Sequence, residues 1–134
     1  MPAVLKLRYE PRPPGRPLGL RAEFRPGPEH TGAPGVLHGG MAATALDEAM
    51  AAVGWFLDGV HCVTGTLELR YRRPVPVDGR PLVVEAWRER APSRRTQRVH
   101  GRILLDDGTV AVEASGIFVQ YPARHPVRHP QAAG

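Results

Sequence analysis

The chain has 134 residues, 42% of them hydrophobic, and a formal net charge of +5. That length suits one domain with a single buried core, and charges of both signs scattered along the chain exclude a low-complexity, disordered polymer. Met1 to Arg16 hold no apolar run of signal-peptide length, and nowhere do ~18 apolar residues follow one another, so a cytoplasmic protein with no membrane partner is expected.

Residues 1–17, proline-rich from Pro11 to Pro17, read as an irregular lead-in. Leu18, Leu20, Ala22 and Phe24 then alternate with Arg21, Glu23 and Arg25, the period of a half-buried strand. A Pro/Gly-rich loop covers 26–35. From Gly39 to Leu57 the residues are mostly Ala, Met, Leu and Thr without proline, which predicts a long helix. Cys62 is the only cysteine, so no intrachain disulfide or cysteine-based zinc site can form, and a buried, inert thiol is expected.

After Gly59 the period becomes two, with Leu67, Leu69 and Tyr71 opposite Glu68, Arg70 and Arg72. Strand-like runs over 82–90, 97–105 and 109–121 follow, separated by the turn signals Val77-Asp78-Gly79, Ala91-Pro92-Ser93 and Asp106-Asp107-Gly108. Short links predict an antiparallel meander of the last four strands, with the helix laid across one sheet face. The fold class is therefore α+β, with the domain at 18–121. The Arg-His-Pro repeats of 122–134 predict a disordered tail.

Chemistry enters on the helix. Asp47 and Glu48 sit side by side among small and apolar residues, either in a narrow solvent-facing stripe or because a carboxylate is needed there. His38-Gly39-Gly40 opens the same helix, where uncovered N–H groups and the positive end of the helix dipole can polarise a carbonyl. Equally, paired glycines permit close strand–helix packing. The basic residues are arginines except Lys6, which suits an anionic partner, and guanidinium groups bind phosphate through paired donors.

His38-Gly39-Gly40 followed by Asp47 nine residues after the histidine resembles the signature of hotdog-fold acyl-CoA thioesterases, particularly the phenylacetyl-CoA thioesterase-like group. The run Thr64-Gly65-Thr66-Leu67-Glu68-Leu69-Arg70-Tyr71-Arg72-Arg73-Pro74 is similar to that family's long strand ending in Arg-Pro. The resemblance implies an antiparallel sheet wrapped around one central helix and hydrolysis of an acyl-CoA thioester. Gly39 N–H would polarise the carbonyl, and Asp47 would act as nucleophile or general base.

His38 and Gly40 would shape the helix start, and Thr64 matches a hydroxyl that helps hold water. Arg72 and Arg73, or Arg94 and Arg95 with Arg98 beside them, would meet CoA phosphates. No metal or cofactor is implied. The assembly implied is a homodimer with sites at its interface, alone or as a dimer of dimers, without nucleic acid. Gly32 departs from the family, which often places Asn or Gln there; Glu29, His30 or Thr31 stand nearby as substitutes.

Two rivals remain. Pro34-Gly35-Val36-Leu37 is faintly similar to hotdog dehydratases, but those place a glutamate where Gly40 stands, and a hydratase needs an Asp and His pair. A non-catalytic acyl-CoA-binding regulator would be expected to add a DNA-binding module, and neither terminus has the periodicity of one.

Overall fold

A computed structural model describes residue 5 and residues 7–121. In chain order these form β1 (Glu10–Pro11), β2 (Gly19–Phe24), a 3-10 turn (Pro28–His30), α1 (Gly39–Asp58), β3 (Cys62–Tyr71), β4 (Leu82–Trp87), β5 (Thr96–Leu104) and β6 (Val110–Gln120). The strands make one antiparallel sheet in the order β1-β2-β4-β5-β6-β3. β1 is a two-residue strand inside the proline-rich lead-in, and it sits at a sheet edge, where a proline costs no ladder bond on its outer side. The tail at 122–134 lies outside the described residues.

α1 runs from Gly39 to Asp58 and buries Ala42, Ala45, Leu46, Ala49, Met50, Val53 and Gly54 against one sheet face. Small residues at these positions let the sheet approach closely. A Cβ on Gly54 would come within 2.8 Å of Cys62 Sγ, and one on Gly101 within 2.9 Å of Met50 Sδ. Facing them are Leu20, Ala22 and Phe24 of β2, Val84 and Ala86 of β4, Val99 and Ile103 of β5, and Phe118 of β6, all buried. The helix ends at Gly59, whose left-handed φ of 73° lets its N–H reach back to Gly54 and Trp55 carbonyls.

The predicted four-strand meander is corrected. Only β4, β5 and β6 form it; β3 pairs with β6 on the far side of the sheet instead of with β4. The segment 72–81 crosses between them rather than making a hairpin. Leu37 N–H donates to Val75 O at 2.8 Å and Val77 N–H to Gly35 O at 2.9 Å, so the loop before α1 holds this crossover. Prolines at 74, 76 and 81 keep it from extending a ladder. Val77-Asp78-Gly79 is a real turn, with Gly79 at φ 87°, but it lies within the crossover.

The second hairpin turn also moves, from Ala91-Pro92-Ser93 to Ser93–Thr96. Ser93 and Thr96 exchange two backbone hydrogen bonds, and Arg94 and Arg95 occupy the centre at φ 50° and 68°. Cys62, expected buried, is partly exposed because it begins the edge strand β3.

Candidate active site

Asp47 lies midway along the buried helix but on its flank, half-buried, facing β3. Thr64 Oγ1 donates a 2.6 Å hydrogen bond to Asp47 Oδ1. Thr64 can reach because β3 carries a bulge between Thr64 and Thr66, where Gly65 is the additional residue. A Cβ on Gly65 would lie 3.0 Å from Ile117 O, so the close backbone approach at the bulge favours glycine. Glu48, one helical step on, faces elsewhere: its Oε2 accepts Leu5 N–H at 3.2 Å. The adjacent carboxylates therefore have separate surroundings, one against the edge strand and one under the lead-in.

At the helix start His38 is the N-cap, and its Nδ1 accepts Gly40 N–H at 2.9 Å. The imidazole is thus neutral when it caps, with its proton on Nε2. Met41 and Ala42 N–H both donate to His38 O, at 2.9 and 3.1 Å. Gly39 N–H is the helix-terminal donor left without a partner among the described residues, and Gly39 is exposed. A free N–H at the positive end of a helix is chemically suited to a developing oxyanion. Tyr71, at the far end of β3, donates its hydroxyl to Gly39 O at 2.7 Å.

Sequence reasoning placed Tyr71 on a strand face and assigned it no role. The only signal for one was its position just before Arg72-Arg73-Pro74.

Gly39 and Asp47 are not brought together within one chain. Eight residues of helix separate them by about 12 Å. Gly39 borders the Tyr71 end of β3 and Asp47 the Thr64 end. β3 is the last strand of the sheet, and Val63 and Tyr71 on it are 48% and 54% exposed, so the strand that runs from the Asp47 neighbourhood to that of Gly39 has an outer edge uncovered by any described residue.

Gly32 packs on the His38 side: a Cβ there would stand 3.3 Å from His38 Cδ2, a tight contact that a small shift of the imidazole would relieve. Of the three suggested substitutes, His30 and Thr31 are engaged in local hydrogen bonds, while the Glu29 side chain is 70% exposed, 3.7 Å from His30 Nδ1. His30 Nδ1 accepts Gly27 N–H, His30 O accepts His38 N–H, and Thr31 Oγ1 donates to Pro28 O.

The arginine groups occupy opposite ends of the sheet. Arg72 is paired with Glu113 at 3.1 Å, while Arg73 makes no side-chain ion pair among the described residues. Arg94 and Arg95 cap the β4–β5 hairpin at the end where Gln97, Phe118 and Thr64 share one cross-strand row. Behind that row, Arg88 binds Asp58 through Nη1 and Nη2, and its Nη1 also donates to Gln97 Oε1 at 3.0 Å, while Gln97 Nε2 donates to Cys62 Sγ at 3.6 Å. Burial pushes the Cys62 thiol above its ordinary range and Asp58 adds to this, against the opposing effects of Gln97 and Arg88. Such a thiol is a poor nucleophile.

Among the described residues no group of three or more His, Cys, Asp or Glu is placed to hold a metal ion, and no helix is long and apolar enough to cross a membrane.

Residues 34–112, which include His38, Gly39, Asp47, Thr64 and Tyr71, match the family model described as the thioesterase superfamily. The chain belongs to that superfamily. It is 30% identical over 97 residues to the acyl-coenzyme A thioesterase THEM4 of Bos taurus, covering 72% of this chain and 39% of that protein. The chain thus spans about two-fifths of the length of this curated relative. Among solved structures, yhdA of Lactococcus lactis superposes with a TM-score of 0.79 at 10% identity, covering 90% of this chain and 95% of that one. A hypothetical thioesterase protein with coenzyme A from Streptococcus pneumoniae superposes at 0.73 and 19% identity, covering 88% and 92%. The single helix against an antiparallel sheet is accordingly the hotdog fold of the superfamily.

Proposed function

We propose that this chain is a cytoplasmic acyl-CoA thioesterase, hydrolysing a thioester to a carboxylic acid and free CoA in a homodimer with two composite sites. The observation that carries this reading is the Asp47–Thr64 pair, held beside an uncovered edge strand whose other end borders the free Gly39 N–H. Two β3 edges paired antiparallel about a two-fold axis centred near Leu67 would set Tyr71 and Gly39 of one copy opposite Thr64 and Asp47 of the other. That spans the ~12 Å gap with no change in either chain.

In such a site the thioester oxygen accepts Gly39 N–H, which gains strength as negative charge develops on it. Asp47 either removes a proton from water, so that hydroxide adds to the carbonyl carbon, or adds its own oxygen to form a mixed anhydride that water then cleaves. In both routes the tetrahedral adduct collapses with departure of the CoA sulfur, which leaves as thiolate and regains a proton. Thr64 fixes the Asp47 carboxylate so that its other oxygen faces the substrate. Arg73, Arg94 and Arg95, which hold no side-chain ion pair among the described residues, suit the CoA phosphates, and Arg72 joins them if it exchanges Glu113 for phosphate.

An acyl-CoA panel with thiol-release detection tests the reading. Turnover of at least one acyl-CoA, lost by about 10³-fold in Asp47→Asn, is the expected result. Binding without turnover across the panel would point to an acyl-CoA-binding protein. Conversion to an enoyl or hydroxyacyl thioester with CoA still attached would point to the dehydratase or hydratase class.

A further inference from the structure

We propose that Tyr71 is a positioning residue for the oxyanion donor, holding the Gly39–Gly40 peptide so that Gly39 N–H stays aimed at the reacting carbonyl. The inference rests on the thioesterase reading of this site and adds a residue to it.

The peptide after Gly39 is gripped at both ends. Tyr71 Oη–H donates to its carbonyl, Gly39 O, at 2.7 Å, and its N–H, on Gly40, donates to His38 Nδ1 at 2.9 Å. The peptide before Gly39 is fixed through His38 O, which accepts from Met41 and Ala42 N–H. Gly39 N–H lies in the His38–Gly39 plane, and Tyr71 steadies it indirectly, by holding the next plane, which is hinged to the first at Gly39 Cα.

That restraint matters because of the residue type. Glycine has the widest backbone freedom, and the first turn of a helix is the part that frays most readily. Without Tyr71 the Gly39–Gly40 plane would be held by the His38 cap and the helix alone. The phenol reaches Gly39 from β3, outside the helix, so it also ties the oxyanion donor to the strand that carries Thr64. A Cβ on Gly39 would lie 3.6 Å from Tyr71 Oη, ordinary contact, so the ring packs over this turn as well as bonding to it.

Tyr71→Phe keeps the ring and removes only the hydroxyl. Loss of one oxyanion donor outright costs about 10²–10³ in kcat, and a donor that is present but less well aimed should cost less, about tenfold. KM should stay within about twofold, since the contact acts on the transition state rather than on CoA binding. The melting temperature should move by no more than about 3 °C, because Tyr71 is half exposed. In nitrogen-15-labelled protein the Gly39 amide resonance should shift while that of Asp47 does not.

A wild-type kcat overturns the proposal. So does a loss of activity accompanied by a matching fall in melting temperature or in dimer content, which would make Tyr71 merely structural. Asp47→Asn is assayed beside it. If Asp47→Asn is inactive and Tyr71→Phe is normal, only the positioning role fails; if Asp47→Asn is active, the reading of the whole site falls.

Discussion

Asp47 and Glu48 differ by one helical step of about 100°, and that step gives them different neighbours. Asp47 takes a hydroxyl from the edge strand; Glu48 takes a backbone N–H from the lead-in. Glu48→Gln keeps an acceptor for Leu5 N–H and should leave turnover within about twofold of wild type, whereas Asp47→Asn removes the carboxylate proposed to react. Thr64→Val preserves shape and deletes the hydrogen bond to Oδ1, so kcat should fall about tenfold with little change in KM, read from steady-state kinetics. Helical period alone left Asp47 open between a solvent-facing stripe and a needed carboxylate, and it was singled out by resemblance, on its spacing after His38-Gly39-Gly40. Tyr71 was not legible as a partner of Gly39: the two are 32 positions apart, and only the crossing of β3 past the helix start brings them together.

Among the elements, the strand register decides two stability effects. On the sheet face away from α1, Glu85 of β4 is buried between Arg12, at 2.9 Å, and Arg102, at 3.2 Å, with Arg12 also stacked 4.4 Å over the Trp87 ring. Burial alone would raise the Glu85 carboxyl, but the hydrogen bond from Arg12 and the charges of Arg102 and Arg12 outweigh it and hold it below its ordinary value of 4.5. A depressed carboxylate stabilises the fold above its unfolded pKa, and the stabilisation is lost as pH falls through the folded value. Thermal unfolding followed from about pH 5 down to pH 3 should therefore show a drop that is shallower in Glu85→Gln.

The β4–β5 hairpin turn has the opposite character. Arg94 and Arg95 both sit in the left-handed region, where a residue with a Cβ costs about 1–2 kcal/mol. Arg94→Asn with Arg95→Gly supplies the residues this turn prefers and should raise the melting temperature. If the arginines bind CoA phosphates, the same variant should raise KM for acyl-CoA more than it lowers kcat, and added salt should imitate it in the wild type. KM for a thioester lacking the nucleotide should not change.

For the whole molecule the decisive question is assembly. Gly39→Pro removes the free N–H at the first helical position, where proline fits, and His38 before it already has the extended backbone that a following proline demands, at φ −60° and ψ 134°. Mixing this variant with Asp47→Ala, after subunit exchange, should restore roughly a quarter of wild-type activity. Half of the dimers would be mixed, and each mixed dimer would hold one intact site and one doubly defective site. Full exchange with no recovered activity would mean that each site is built within a single chain.

Local sequence determined the helix and its ends, β2 and its buried face, and the strand character of β3 to β6, because a period of 3.6 or 2 and a glycine stop are properties of neighbouring residues. Only the tertiary structure decided which strands pair. The link from Tyr71 to Leu82 has turn residues at 77–79 that read as a hairpin, yet its backbone bonds to Gly35 and Leu37 carry it across to the other side of the sheet. That choice puts β3 at the sheet edge, sets Thr64 against Asp47 at one end and Tyr71 against Gly39 at the other, and so keeps the two neighbourhoods apart. A pattern of neighbouring residues carries no information about such a choice, because it is made by contacts between segments tens of residues apart.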